Sequence, residues 1–307
     1  MPPRSPLPQR QGLDAAWLRT PDNQPGVQPR WVTMYDFLVD RLPGAVPVAE
    51  RLSDGEFVDH AGRPWTGDEP YRPNTFIWFH RPVASEPRVP FDVEVLYADD
   101  RIVVVDKPPF LATIPRGSHV RESVLVRVRE ALDLPELAPA HRLDRLTAGV
   151  LVLTASREHR GAYAGLFQTS SVHKSYEALA PYDPTLQLPC RVSSRIEKRR
   201  GNLQAEVVDG EPNAETMVEL VERRGRYGRY RLTPTTGKTH QLRVHLAALG
   251  VPILNDPLYP TVLDRAADDL SAPLQLVARR LTFTDPVDGT ARDYTSRFAL
   301  SWPDAER

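Results

Sequence analysis

Hydrophobic positions are sparse and broken along the first ninety residues, and from there on they fall into regular runs. Residues 1–30 are rich in Pro, Gln and Arg without periodicity, which predicts a loosely ordered arm. Residues 31–88 carry short apolar pieces, "MYDFLVDRL" and "TFIWFH", interrupted by Gly and Pro, as expected of a small N-terminal α+β domain. "RPVASEPRVP" reads as a linker. Beyond it, "VEVLYADDRIVVVDKP" predicts two strands around a turn at residues 98–100, and "AGVLVLT" predicts a buried strand. "VHKSYEALAP", "GRYRLTP" and "LQLVARRLTFTDP" predict further strands, while "RESVLVRVREAL", "SREHRGAYAGLFQ" and "KTHQLRVHLAALG" have a helical period. There is no internal repeat. The expected fold is α+β, a largely antiparallel mixed sheet flanked by helices over residues 89–303.

Two stretches do not read as scaffold alone. In "KTHQLRVHLAALG", Leu242, Leu246 and Leu249 form a core-facing stripe, Thr239 is placed to cap the start, and Gly250 to end the helix. His240, Arg243 and Ala247 lie on the adjacent face. Arg243 therefore sits at the border of the buried stripe, where an arginine needs a carboxylate or a path to water. In "PAHRLDRLTAGVLVLTAS", four ionisable groups, His141, Arg142, Asp144 and Arg145, directly precede a buried strand. Ionisable groups beside a core either stay solvated in a turn or have partners.

Bulk properties narrow the classes. The 307 residues are 41% apolar, ordinary for a globular protein with a sizeable core. No run approaches the length of a membrane span, and the N-terminus has no apolar signal region, which points to the cytoplasm and to no membrane partner. The single cysteine, Cys190, excludes an internal disulfide and a thiolate metal cage. Net charge is −1, so the molecule as a whole is not a basic nucleic-acid binder. Its basic residues cluster, however, at Arg191–Arg200 and Arg223–Arg231, the second run interleaved with Tyr227 and Tyr230. Such runs suit RNA phosphates and stacked bases, or are solvated hairpins.

Most catalytic templates fail. "HRLDR" echoes a kinase catalytic loop, but neither the Gly-rich loop nor the Asp-Phe-Gly that such an enzyme needs is present. There is no phosphate-binding loop, zinc helix or nucleophile elbow. His240 and His245 are five residues apart, not the four that align two zinc ligands.

The motifs together resemble the RluA-type family of RNA pseudouridine synthases. "HRLDRLTAG" is similar to that family's H-R-L-D-x-x-T-S-G signature, with Ala148 for Ser. "KSYEALA" resembles its K-x-Y-x-A strand, and "VVVDKPPFLATIP" its N-K-P segment. "TGKTHQLRVHLAALGVPILNDPLY" resembles its T-G-R-T-H-Q-I-R-V-H-L segment and the tail that follows. The resemblance spans roughly residues 90–300, with four motifs in order.

The resemblance implies that residues 89–303 form a pseudouridine synthase catalytic domain. It makes Asp144 the essential aspartate, Tyr176 the active-site aromatic and Arg243 the partner that keeps Asp144 ionised. It also implies substrate or RNA contacts for His141, Arg142, Arg145, Thr147, Lys107, Lys174, Lys238, His240 and Gln241. Uridine becomes pseudouridine when the C1′–N1 bond breaks, the uracil turns over and C5 bonds to C1′. This rearrangement needs no metal or organic cofactor, and none is expected. Asp144 attacks C1′ or removes the C2′ proton, Tyr176 stacks on the flipped uracil or helps remove the C5 proton, and the base must first leave its stack. The implied partner is a stem-loop of ribosomal or transfer RNA, bound by a monomer. Residues 31–88 stand where many relatives carry a small RNA-binding domain, so a degenerate version is expected there. Besides Ala148, four positions depart from the pattern. Phe110 and Asn255 replace glycines, Lys238 replaces Arg, and Val277 stands where His is common. Two rivals are an inactive RNA-binding module, against which the Asp-Tyr-Arg set argues, and a glycoside-type hydrolase, which needs a second carboxylate near the motifs.

Overall fold

The computed structural model describes residues 3–22, 30–83, 86–117, 119–266 and 268–303. Residues 1–2 and 23–29 of the predicted arm, and 84–85 of the predicted linker, lie outside them. The chain forms two compact units, Met1–Ser85 and Glu86–Arg307.

The first unit contains strand β1 (Ala16–Arg19), helices α1 (Met34–Arg41) and α2 (Val48–Ser53), and strand β2 (Phe76–Phe79). β1 lies within the stretch expected to be a loose arm, and it pairs antiparallel with β2, Ala16 opposite Phe79. Helix α1 starts where Thr33 and Asp36 cap each other: the Asp36 amide donates to the Thr33 hydroxyl at 3.1 Å, and the Thr33 amide to the Asp36 carboxylate at 2.9 Å. Met34, Phe37, Leu38, Leu52, Phe57 and Ile77 make a small core of their own.

The second unit runs β3 (Glu94–Ala98), β4 (Ile102–Lys107), α3 (Val124–Leu132), β5 (Ala138–Pro139), β6 (Ala148–Thr154), α4 (Arg160–Gln168), β7 (His173–Pro181), β8 (Cys190–Glu197), β9 (Glu206–Val208), β10 (Ala214–Arg224), β11 (Tyr227–Pro234), α5 (Gln241–Ala248), β12 (Leu276–Thr284) and β13 (Ala291–Thr295). One sheet has the order β3-β4-β6-β12-β7-β11-β10-β8-β9, with β13 paired to β12 and β5 to β6. All its pairings are antiparallel except β6 with β12. The expected α+β fold with a largely antiparallel mixed sheet is therefore what forms.

β4 and β6 are buried along their whole length because the sheet is covered on both faces. Val103, Val105, Leu151 and Leu153 pack with α3 and α5 through Val124, Val128, Leu242 and Leu246. Ile102, Val104, Val150 and Val152 face the other way, against Tyr163 of α4 and Phe283 of β12. Where the parallel pair β6–β12 meets, a Cβ on Gly149 would lie 2.3 Å from the Ala278 carbonyl oxygen, and the residue has φ +117°. Only glycine lets β6 begin there, four residues after Asp144 turns.

Both positions at which glycine is replaced have left-handed backbones: Phe110 at φ +67° and Asn255 at φ +62°. Phe110 is buried and stacks on Phe91. Burying a phenyl ring stabilises by about 1.5–3 kcal/mol, which offsets the roughly 1–2 kcal/mol cost of that backbone. Asn255 tolerates the conformation by chemistry and donates from Nδ2 to the Pro273 carbonyl at 3.1 Å. Urea unfolding should show Asn255→Gly close to wild type and Asn255→Ala weaker by about 1–2 kcal/mol. Equal stability of the two variants would contradict the conformational reading.

Candidate active site

Asp144 sits in the loop between β5 and β6, and the core fixes that loop through its backbone. Thr113 grips Leu143 at both ends: its hydroxyl donates to the Leu143 carbonyl at 2.8 Å and accepts from the Leu143 amide at 3.2 Å. Lys107, wholly buried, donates from Nζ to the carbonyls of Pro108 (2.9 Å) and Arg145 (3.0 Å). His141 stacks on Phe167 and accepts the Val152 amide on Nε2 at 3.1 Å. The Thr147 amide closes the turn on the Asp144 carbonyl at 3.1 Å. The charged stretch in front of β6 is thus a site with partners, not a solvated turn.

Three of the residues expected to contact substrate also hold the framework, and two of them, His141 and Gln241, line the cleft as well. Burial, opposed by Asp144 and reinforced by Arg145, lowers the Lys107 pKa to about 7, and its side chain has no surface to offer RNA. Burial pushes His141 down to about 3, so it is neutral and its Nε2 is occupied. Gln241 is buried and fully engaged: Oε1 accepts from Thr236 and the Lys238 amide, and Nε2 donates to the Glu215 carbonyl and Thr216. Such groups are conspicuous in sequence because they are polar, and they are polar because the loop's buried backbone needs donors.

All the expected residues except Lys107 meet around one cleft of about 700 Å³, a size suited to a nucleotide. Asp144, Tyr176, Lys174, His240, Arg142 and Arg145 line it, with Thr147 and Lys238. Arg142 and Lys238 are exposed, while Arg145 is half-buried. Tyr176 enters from β7, opposite Leu232 and Ala278. Burial first, then the Asp144 charge, pushes its phenol pKa upward, so the hydroxyl stays protonated.

Arg243 projects from α5 and is 2% exposed. Its strongest partner is a residue to which the sequence assigned no role. Nε and Nη2 donate to Asp256 Oδ2 and Oδ1 at 2.7 and 2.6 Å, a bidentate pair with a carboxylate of 0% exposure. Nη1 remains for Asp144 Oδ2 at 3.7 Å. Burial opposes the Arg243 charge, but Asp256 and then Asp144 hold its pKa above the usual value. Arg243 therefore links a buried carboxylate to one that is 32% exposed in the cleft. The second carboxylate that a hydrolase needs is present in "NDPLY" but faces the core. Its Oδ1 also accepts the amides of Leu258 (2.8 Å) and Tyr259 (3.2 Å). The Tyr259 ring lies 5.2 Å from the Arg243 guanidinium. The signal that could have found Asp256 is the buried arginine, whose charge requires a dry, bidentate partner.

Thr239 does not cap α5. The first helical turn is approached through His240 in a left-handed conformation, φ +59° and ψ +16°. That backbone turns the imidazole into the cleft, with Nε2 4.0 Å from Asp144 Oδ2. Among the basic runs, the Arg223–Arg231 hairpin spends its groups on the protein. Tyr230 is fully buried, Arg223 lies over Tyr182 and Arg224 over Trp302, and Arg229 pairs with Glu222. The Arg191–Arg200 run forms most of β8, and Arg199 and Arg200 stand exposed past its end.

Comparison with known proteins identifies the family. The sequence model of a family described as RNA pseudouridylate synthase matches residues 101–248. The dual-specificity RNA pseudouridine synthase RluA of Escherichia coli K12 is 34% identical over 219 residues, 68% of this chain and 94% of that protein. The human pseudouridylate synthase RPUSD2 is 32% identical over 196 residues, 64% of this chain, and the match spans 35% of the human protein. Fold and matches define an RNA pseudouridine synthase. The solved human RNA Pseudouridylate Synthase Domain Containing 4 has a TM-score of 0.53 at 26% identity, covering 67% of this chain and 88% of that one. Human RNA Pseudouridylate Synthase Domain Containing 1 shares the fold, with a TM-score of 0.55 at 22% identity over 70% of this chain and 86% of that one. The chain belongs to the RluA-type family of RNA pseudouridine synthases.

Proposed function

We propose that this enzyme isomerises chosen uridines in a stem-loop of ribosomal or transfer RNA, with Asp144 as the group that acts on the ribose of a flipped nucleotide. The observation that carries the reading is the position of Asp144: a carboxylate open to a nucleotide-sized cleft and held by the spare nitrogen of a buried arginine. Tyr176 stacks on the uracil as a neutral phenol. Arg142, Arg145, Lys174 and Lys238 meet phosphates around the cleft mouth, and the N-terminal unit adds contacts as a degenerate RNA-binding domain. The E. coli relative is named a dual-specificity RNA pseudouridine synthase, which supports testing more than one class of RNA. Mapping pseudouridines by carbodiimide-dependent reverse-transcription stops in a deletion strain should show one or a few sites lost, restored by the intact gene and not by the Asp144→Asn form. An unchanged map would remove this substrate assignment.

Target choice rests on contacts outside the pocket, since a single uracil carries little information. Arg199 and Arg200, exposed beyond β8, are the strongest candidates. Reversing both to Glu should weaken RNA binding and flatten its salt dependence, each lost phosphate contact lowering the slope by about 0.7–0.9. Single-turnover rates at saturating enzyme should change far less. An unaltered salt slope would show that the RNA runs elsewhere.

A further inference from the structure

The hydrogen bonds around His240 favour one tautomer. The Tyr259 hydroxyl has one proton, which it donates to the Ala205 carbonyl at 3.0 Å. The same oxygen accepts the Ala205 amide at 2.7 Å and lies 3.0 Å from His240 Nδ1. With that proton assigned to the Ala205 carbonyl, the phenol oxygen accepts from Nδ1, which assigns the imidazole proton to Nδ1 and a bare lone pair to Nε2. Nε2 faces Asp144 Oδ2 across 4.0 Å, and the side chain is 12% exposed. Two acceptors at that separation do not bond to each other. They flank a space in which a third group with a proton fits.

The histidines beside it are arranged differently. His141 Nε2 is filled by the Val152 amide. His245 has Thr216 on Nδ1 at 2.9 Å and Ser194 on Nε2 at 3.0 Å. His240 is also held in a left-handed backbone conformation at the mouth of α5, a strain that persists where the surroundings impose it and that marks functional positions.

Resting on the reading of Asp144 above, we propose that His240 is a second catalytic residue, the base that takes the C5 proton and returns it to N1. Once C5 has bonded to C1′, C5 carries both the ribose and its original hydrogen, and the ring holds a C6=N1 bond. The C5–H bond then breaks. Its electron pair forms C5=C6, the C6=N1 pair moves onto N1, and the proton goes to His240 Nε2. The imidazolium gives that proton, or one exchanged from water, to N1. The ring gains one hydrogen at N1 and loses one at C5, so the isomerisation balances without another reactant. Tyr176, whose phenol is held protonated, is a poorer base. The charged groups facing His240 are Asp144, Arg243, Lys198 and Asp256. Burial lowers its pKa while Asp144 raises it, with the net shift downward, so the imidazole is neutral at pH 7. On acidification it protonates and pairs with Asp144, and turnover falls.

The test compares RNA carrying ordinary uridine, uridine deuterated at C5, and 5-fluorouridine, which has no C5 proton to lose. His240→Asn is chosen because Asn accepts left-handed backbone. It should slow pseudouridine formation by about 100-fold or more and bring out a primary deuterium isotope effect larger than the wild type shows. Rearrangement of 5-fluorouridine RNA should stay near the wild-type rate, which also proves the variant folded. His240→Gly, equally at ease with the backbone, should regain turnover of uridine RNA as imidazole is added. Equal losses on uridine and 5-fluorouridine, or an isotope effect that emerges in Tyr176→Phe and not in His240→Asn, would overturn the proposal. Failure of the Asp144 reading looks different: Asp144→Asn would then rearrange both substrates.

Discussion

Asp144→Asn is expected to be a folded, RNA-binding protein that makes no pseudouridine. The carboxylate forms no part of the packing that holds the loop. Thr113, Lys107, His141 and the Thr147 amide fix the surrounding backbone. Asp144 itself contacts Arg243 at 3.7 Å and His240 at 4.0 Å. Asn fills the same space, so the thermal midpoint should shift little. The variant loses the negative charge needed to attack C1′ or to take the C2′ proton, and an amide does neither at a useful rate. Quantifying pseudouridine in nucleoside digests after prolonged incubation with excess enzyme checks the result. Turnover by the folded variant within tenfold of wild type, about 1.4 kcal/mol in barrier, would take Asp144 out of the chemistry.

Arg243→Ala should lose both activity and stability. Removing the guanidinium strips Asp144 of its charge partner, and loss of one such group costs about 10²–10³ in rate. It also leaves the Asp256 carboxyl at 0% exposure with, among the described residues, the amides of Leu258 and Tyr259 as its remaining partners. An uncompensated buried charge of this kind costs about 3–5 kcal/mol. Arg243→Lys should recover little of either, because a single ammonium cannot donate bidentately to Asp256 and still reach Asp144. Steady-state kinetics with urea unfolding measures both effects. A Lys variant with wild-type kinetics would contradict the three-point arrangement.

The parts of the fold legible in the sequence are those with strong periodic signals. β4 and β6 stand out because their apolar runs are long, β7 because its residues alternate, and α3 and α5 because their stripes have helical spacing. β8 and β10 were hidden. "RVSSRIE" fully buries only Ile196, and the inward face of β10 is Ala214, Thr216 and Val218, a short set to mark a strand against the Glu and Arg of its outer face. β1 escaped because four residues flanked by Pro and Gln give no period to read.

The site was legible where chemistry and local sequence coincide, as at Asp144, and opaque where a partner arrives through tertiary structure. Asp256 and Tyr259 come from an irregular segment after α5, and nothing in "NDPLY" announces that Arg243 will face it. Lys107 and Gln241 stand out in the sequence because they are polar, and the sequence does not show that they also serve carbonyls and amides that the core would otherwise leave unmet.

The central claim, that this cleft isomerises uridine through Asp144, is tested most directly by incubating the purified protein with RNA tritium-labelled at uridine C5. Released tritium, pseudouridine and free uracil are then counted in the same sample. The account predicts tritium release equal to pseudouridine formed, no free uracil, and neither signal from Asp144→Asn. Free uracil without pseudouridine would make the protein a hydrolase, and tritium release that survives in the folded Asp144→Asn variant would place the chemistry elsewhere.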